Sequence, residues 1–471
     1  MKNPSAPQRL EQQIIRLLDV KSPARRPRRI PVAMRVILGL ITVISAGTLT
    51  LWLVPGLTVN RISFMDALFT ATSAATVTGL TVLTTSTDFT LAGQLVLLLL
   101  IQLGGVGYMF AAVLTLRLLG RRVSLLDRLA LSSSLGLDTP AAILKLLKRV
   151  LIGIVLIEGV GAALLYLHWR SSGIVPAEKA LLYAIFHAVS AFCNAGLDLF
   201  TGLPQYPRGI PGDDWSLIIM GLLIVIGGLG IPVLSDLVNW KGRKRFALHT
   251  RITLVVAGLL TLIGWVGLLI PEIQPGGVLH ETPWDVRLVH TWFQSVSART
   301  AGFPGLDDFN GLGPASRLLI MTLMFVGSAP ASMGGGITTG AFAVLWLGLI
   351  SYARGLNRAV VGGRTLPEGT VRRAGAVLTV SLLVVVVATW LILSTHNLTF
   401  NVALFEVVSA FATCGLSLGA TGELNTFGRL VIIVMMFWGR LGALTIVLAL
   451  LQQQHSRLQL LHYPEETVLI G

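Results

Sequence analysis

Charge is scarce in this sequence: Asp, Glu, Lys and Arg make up 12% of its 471 residues, against 54% hydrophobic residues. With a mean hydropathy of +0.77, that scarcity excludes an ordinary soluble domain and marks an integral membrane protein. Cysteine is nearly absent. Cys193 and Cys414 are too few for a disulfide framework or a thiolate metal site. The first 30 residues are polar, basic and proline-rich, with no short apolar core, so no secretory signal is read there. No glycine-rich nucleotide motif follows a strand pattern, and this chain is expected to bind no cofactor of its own. Enzymatic chemistry is not expected either. His187 and His290 flank short apolar segments, but neither has a carboxylate partner at metal-ligand spacing.

What is present is a repeat. Phe69–Leu80 reads FTATSAATVTGL, a short apolar helix running into a Thr/Gly bend. FHAVSAFCNAGL (186–197), FQSVSARTAGF (293–303) and FEVVSAFATCGL (405–416) repeat it. Each copy has Phe, then Ser four residues later (Ser73, Ser190, Ser297, Ser409), then Gly (Gly79, Gly196, Gly302, Gly415). The glycines recur at intervals of 106 to 117 residues, so the repeating object is a whole structural unit rather than a solenoid turn. About a dozen residues cannot cross a bilayer, which needs about 20 in a helix. A re-entrant loop is therefore expected in each unit.

Longer apolar stretches flank every loop. The expected spans are 32–54 and 94–116, 150–167 and 215–238, 252–270 and an interrupted 318–350, then 374–393 and 430–451. A second glycine marker lies 25, 31, 25 and 24 residues beyond the loop glycines, at Gly104, Gly227, Gly327 and Gly439. The fold expected is an all-α membrane protein of four tandem helix–pore loop–helix units, eight spans and four re-entrant helices, around a pseudo-fourfold pore. Its parts are a cytoplasmic segment 1–31, units at 32–117, 118–238, 239–350 and 351–451, and a cytoplasmic tail 452–471. The N-terminal segment carries an amphipathic patch (Leu10, Ile14, Ile15, Leu17, Leu18) suited to lying in the interface or docking a cytosolic partner.

Charge sets the orientation. Both termini and the connections between units hold 27 Lys plus Arg against 8 Asp plus Glu, and the opposite side holds 8 against 13. By the positive-inside rule both termini are cytoplasmic and the pore loops enter from outside. The net charge of +14 thus reports membrane orientation, not nucleic acid. Trp52, Trp169, Trp215 and Trp390 are expected near the outer interface.

Four such loops around one axis make a cation device. The C-terminal, partially negative ends of short helices point at the membrane centre, and the bends aim backbone carbonyls that replace an ion's water shell. The candidate lining segments are Thr76, Val77, Thr78 and Gly79; Cys193, Asn194, Ala195 and Gly196; Arg299, Thr300, Ala301 and Gly302; and Ala412, Thr413, Cys414 and Gly415. Arg299 would repel a cation if aimed at the axis, so it is expected behind the bend, paired with Glu406 or Asp66. The two cysteines are expected to be small buried thiols. In the third unit, 326–342 reads VGSAPASMGGGITTGAF. Pro330 and the triplet Gly334, Gly335 and Gly336, with Gly327 ahead of them, make helix costly there. Arg440, in an apolar span, is expected to face a water-filled cavity or bind carbonyls. Glu158, also in a span, is expected to be a satisfied buried glutamate. These residues alone reach a monovalent cation; a sodium- or proton-coupled carrier with alternating access remains the alternative.

The motifs TVTGL (76–80), AFCNAGLDLF (191–200), SARTAGF (297–303) and ATCGLSLG (412–419) resemble the Trk/Ktr/HKT potassium-transport superfamily, in its KtrB/TrkH branch. The resemblance runs from about residue 32 to the end. It implies potassium uptake through a channel-like gated pore in the bacterial cytoplasmic membrane, with sodium as a candidate activator or co-ion. It implies that the four loop glycines are filter glycines, that 326–342 is an intramembrane gating loop, and that Arg440 is a gate residue. Relatives often carry Lys near the end of that loop, where this chain has Ile337-Thr338-Thr339. The HYPEETVLIG ending is similar to those that help form a homodimer, and the family pairs with a cytosolic RCK-type nucleotide-binding ring.

Overall fold

The computed structural model describes residues 32–106, 143–206, 209–238, 240, 246–306, 308–356 and 358–442. The N-terminal segment, the stretch 107–142 and the tail expected to aid dimerisation lie outside the described residues. The first helices are α1 (Val32–Leu53), α2 (Phe64–Thr76) and α3 (Leu91–Gly105). There follow α4 (Ile143–Ser172), α5 (Ala177–Phe192), α6 (Asp214–Gly228) and α7 (Ile231–Val238). Next come α8 (Leu248–Glu272), α9 (Trp284–Ser297), α10 (Pro314–Val326) and α11 (Thr339–Ala353). After a small hairpin, β1 (Val360–Val361) with β2 (Arg364–Thr365), the chain ends in α12 (Glu368–Thr395), α13 (Phe400–Ala412), α14 (Ala420–Glu423) and α15 (Thr426–Leu441).

Two kinds of helix alternate. Among the described residues, α1, α4, α8 and α12 contain the four stretches long and apolar enough to cross a membrane, or five if the bent pair α6–α7 counts as one. Several exceed the roughly 30 Å of a bilayer core at about 1.5 Å per residue. The helices α2, α5, α9 and α13 have only 13, 16, 14 and 13 residues, and all are largely buried. A capping box starts α2: Ser63 Oγ accepts from Asp66 N at 3.1 Å, and Asp66 Oδ2 accepts from Ser63 N at 3.3 Å. Its threonines remain tolerable in apolar surroundings because their hydroxyls donate back along the helix, Thr72 to Leu68 O and Thr76 to Thr72 O, both at 2.7 Å. The motif phenylalanines Phe69, Phe186, Phe293 and Phe405 are fully buried and fix each short helix in the core.

Packing is cyclic. Each short helix lies against the long helix before it: α2 on α1, α5 on α4, α9 on α8 and α13 on α12. Each also packs against a later helix of the preceding group: α5 on α3, α9 on α6, α13 on α10 and, completing the circle, α2 on α15.

Two expectations need correction. The stretch 215–238 is not one continuous span, because α6 and α7 meet at 98°. Gly230, at φ 83, turns the chain there. A Cβ on it would sit 2.7 Å from Pro330 O, and Ile231 N donates instead to Ala331 O at 3.1 Å. The interruption of the third group thereby imposes one on the second. Trp169 is not an interfacial tryptophan either. It is fully buried and donates from Nε1 to Ser216 Oγ at 2.7 Å, whereas Trp52, Trp215 and Trp390 are exposed. The interruption of 318–350 falls where proline and glycine signalled it, between α10 and α11.

Candidate ion pathway

The four short helices end at one place. Val77, Asn194, Thr300 and Thr413 have left-handed backbones, at φ 54, 57, 77 and 48, and two residues later so do Gly79, Gly196, Gly302 and Gly415, at 89, 65, 80 and 97. A Cβ on Gly79 would lie 2.5 Å from Ala195 O, and one on Gly196 would lie 2.8 Å from Ala301 O. On Gly302 it would meet Cys414 O, and on Gly415 Thr78 O, both closer still. Each glycine therefore faces the carbonyl just ahead of the next glycine, and the fourth faces the first. The ring is closed, and both its torsion and its spacing demand glycine.

Serine holds each bend to its helix. Thr78 N donates to Ser73 O at 2.8 Å and Gly79 N to Ser73 Oγ at 3.0 Å. Cys414 N and Gly415 N do the same with Ser409, at 2.9 and 3.0 Å. In the other two bends the hydroxyl donates instead, Ser190 to Leu197 O and Ser297 to Phe303 O, both at 2.6 Å. In these two bends as well a main-chain amide turns to the helix side, Ala195 N to Ser190 O at 2.8 Å and Ala301 N to Ser297 O at 2.9 Å. The carbonyls of Val77, Thr78, Asn194, Ala195, Thr300, Ala301, Thr413 and Cys414 accept no hydrogen bond from any described residue. Buried carbonyls require a partner, and a dehydrated cation is one that eight of them can share. A cavity of about 430 Å³ opens on the ring, with Asp198 and Asp308 among its walls. Acidic walls raise the local cation concentration.

Under two of the bends lies the non-helical stretch 327–338. It leaves α10 at Gly327 (φ 61), turns at Ala331 (φ 57) and Gly336 (φ 74), and enters α11 at the cap Thr338. A Cβ on Gly335 would stand 2.6 Å from Thr413 Oγ1, and Gly334 abuts Thr300 more closely yet. Pro330 O crowds the α6–α7 bend from the same stretch. Two amides of the stretch tie it to the end of α6, Ala329 N to Gly228 O at 3.1 Å and Met333 N to Gly227 O at 3.4 Å. Arg440 is half-buried and turned toward main-chain oxygens. It donates to Met333 O of this stretch and to Gly104 O and Gly105 O at the end of α3. That is the carbonyl-bound state expected of a cation at membrane depth.

Arg299 lies behind the third bend, as expected, but with other partners. Its Nη1 donates to Ala257 O at 3.2 Å and Nη2 to Gly327 O at 3.4 Å. Glu406 is taken up by Ser417 (2.7 Å) and Thr421, and Asp66 by Arg429 at 2.6 Å. The pairing with Glu406 or Asp66 is therefore wrong; main-chain carbonyls do the work of a carboxylate. Cys193 and Cys414 are free and buried. Glu158 is buried, accepting from Gln102 Nε2 at 3.1 Å and approached by Cys193 Sγ at 3.8 Å. His187 is caged by aromatic rings and bonds Tyr183 O and Leu199 N. The second glycine marker resolves into packing: Gly104, Gly227 and Gly439 admit the carbonyl ends of α2, α5 and α13, while Gly327 breaks a helix instead. Sequence reasoning did not single out Ser328, whose hydroxyl joins the loop to the third bend.

A multi-pass membrane protein with this construction falls in a transporter class, and the chain belongs to the TrkH family of cation transport proteins, which matches residues 28–458. It is 35% identical over 437 residues to Ktr system potassium uptake protein B of Bacillus subtilis, covering 92% of this chain and 95% of that protein. Potassium/sodium uptake protein NtpJ of Enterococcus hirae is 35% identical over 415 residues, 87% of this chain and 90% of that one. The crystal structure of the potassium transporter TrkH from Vibrio parahaemolyticus shares the fold, with a TM-score of 0.70 at 21% identity over 91% of this chain and 86% of that one.

Proposed function

We propose that this chain is the ion-translocating subunit of a Ktr/Trk-type system and takes up potassium through a channel-like, gated pore. Four tandem units, each a span, a re-entrant short helix and a second span, surround a pseudo-fourfold axis. The ring of glycines and unpaired carbonyls is the selectivity filter, and potassium moves down its electrochemical gradient through it. The observation that carries this reading is the closed circle of Gly79, Gly196, Gly302 and Gly415 against one another's carbonyls. Stretch 327–338 and Arg440 form the gate below it, the loop as an obstacle and the guanidinium as a positive barrier. The potassium assignment draws support from the names of the relatives. The word "system" in one of them accords with a second component, here a cytosolic nucleotide-binding ring. The chain acts as a homodimer in the bacterial cytoplasmic membrane, termini inside, as the basic connections favour. The carrier alternative has little footing, since Glu158 is engaged by Gln102 and Cys193. Growth of a transport-deficient cell on limiting potassium, with rubidium and sodium as competitors, tests the function. Rescue that rubidium competes and sodium does not is the expected result.

A further inference from the structure

We propose that Ser328, together with Arg299 and Thr300, is a positioning clasp that makes the ion selectivity of the third filter bend depend on where the gating loop lies. This rests on the gate reading above and deepens it.

The clasp works in both directions. Ser328 Oγ has one proton, which it donates to Arg299 O at 3.1 Å. Thr300 Oγ1, 2.7 Å from the same oxygen, must then be the donor in that pair. Thr300 Oγ1 is approached in turn by Asn194 Nδ2 of the second bend at 3.5 Å. From the other side, the Arg299 guanidinium donates to Gly327 O at 3.4 Å. Two adjacent loop residues thus hold two adjacent filter residues, with Ser328 and Thr300 both buried. Among the described residues no other hydrogen bond joins loop 327–338 to the four bends; at Thr413 the contact is steric.

Thr300 is where such support matters. At φ 77 it is a β-branched residue in the left-handed region, a strained state that lasts only where surroundings over-determine it. Its carbonyl is one of those free to meet an ion. If the loop swings aside, Ser328 leaves with it, and Thr300 loses its hydroxyl partner while Arg299 loses Gly327. The bend is then free to relax, and its carbonyl spacing with it. The loop is therefore a floor as well as an obstacle.

The test uses the full chain in proteoliposomes and compares rubidium with sodium uptake in Ser328→Ala, Ser328→Thr and a chain shortened across Ala331–Gly335. Ser328→Ala should lower the rubidium-to-sodium ratio by roughly 2-fold to 10-fold, the worth of one neutral hydrogen bond. Ser328→Thr keeps the hydroxyl and should keep the ratio. An unchanged ratio in Ser328→Ala overturns the clasp, whether flux of both ions rises together or only the unfolding temperature falls. The gate reading fails separately, if the shortened chain carries wild-type flux. A ratio that drops in Ser328→Ala while the shortened chain keeps that flux removes the gate and, with it, the dependence of selectivity on loop position, leaving Ser328 as a fixed support of the bend.

Discussion

Replacing the ring glycines by alanine one at a time should degrade ion discrimination in an order set by the spaces they fill. Ordinary contact begins near 3.4 Å. At Gly196, with 2.8 Å available, Ala301 O must retreat by about 0.6 Å; at Gly79, with 2.5 Å, Ala195 O must retreat by about 0.9 Å. Gly415 demands more, and Gly302 most of all. Each alanine also takes on a left-handed torsion, costing roughly 1–2 kcal/mol. The displaced atom is in every case a carbonyl of the neighbouring bend, so the damage falls on coordination rather than on remote packing. A fall of about tenfold in the rubidium-to-sodium uptake ratio, about 1.4 kcal/mol, is expected for Gly302→Ala and Gly415→Ala. Gly79→Ala, and likewise Gly79→Ser, should lie between these and a smaller loss at Gly196. Gly153→Ala, on α4 with nothing within 4 Å of its Cβ position, is the control and should match wild type. Tracer uptake in proteoliposomes gives the ratios, and size-exclusion profiles establish folding. A folded Gly302→Ala protein with wild-type discrimination, or a series ranked in reverse, would refute the ring as the ion path.

Arg440→Ala should raise basal potassium flux, since a unit charge about 6 Å from a cation at an effective dielectric near 20 amounts to about 3 kcal/mol. Shortening the loop across Ala331–Gly335 should raise it too, and the double variant should gain less than the sum because both act at one constriction; strict additivity in vesicle uptake would separate the two. Ser73→Ala strips Gly79 N of its acceptor inside the core, a loss of about 1–3 kcal/mol, so both thermal stability and selectivity should decline. Unaltered melting and selectivity would mean water takes the place of the hydroxyl. Glu158→Gln keeps an acceptor for Gln102 Nε2 and should leave uptake intact with no dependence on a proton or sodium gradient. Loss of uptake in that variant, with the filter's selectivity unchanged, would instead favour a coupled carrier.

Much of this arrangement was legible because glycine advertises its reason for being where it is. Four glycines in register needed a common cause, and a positive φ at the closest approach of four backbones is one. The partner torsion two residues earlier carried no such sign. Val77, Thr300 and Thr413 are β-branched residues whose strain is imposed by the ring, and nothing local announces it; Asn194 alone is of a type that enters this region readily. Arg299 misled for a related reason. Charge pairing suggests a carboxylate, yet the broken helix at Gly327 supplies carbonyls that only the folded chain brings near. The bend after Leu229 did have a local signal, Gly230 followed by Pro232, but the continuous apolar run around it argued for a straight span. Trp169 reads like its interfacial counterparts in composition and differs only in what packs on it. The motif serine was recognised as a marker, though its two hydrogen-bonding modes depend on bend geometry that sequence does not express.

The circular packing bears on how such a chain can be made. The helix α2 leaves the ribosome long before α15, yet α15 is one of its walls, and Asp66 finds Arg429 across 363 residues of sequence. Until the last group is inserted, the first bend has a neighbour on one side only, and its strained Val77 is held by its own helix through Ala74 O and Ser73 but not by the ring. Groups one to three can be threaded in turn, but the ring of glycines and carbonyls closes in a single late step, when the fourth meets the first. Long-range closure of this kind is slow, and until it occurs the wall of α2 that α15 covers stays open. Insertion machinery or a partner copy that shields this open flank would speed assembly without touching the finished protein.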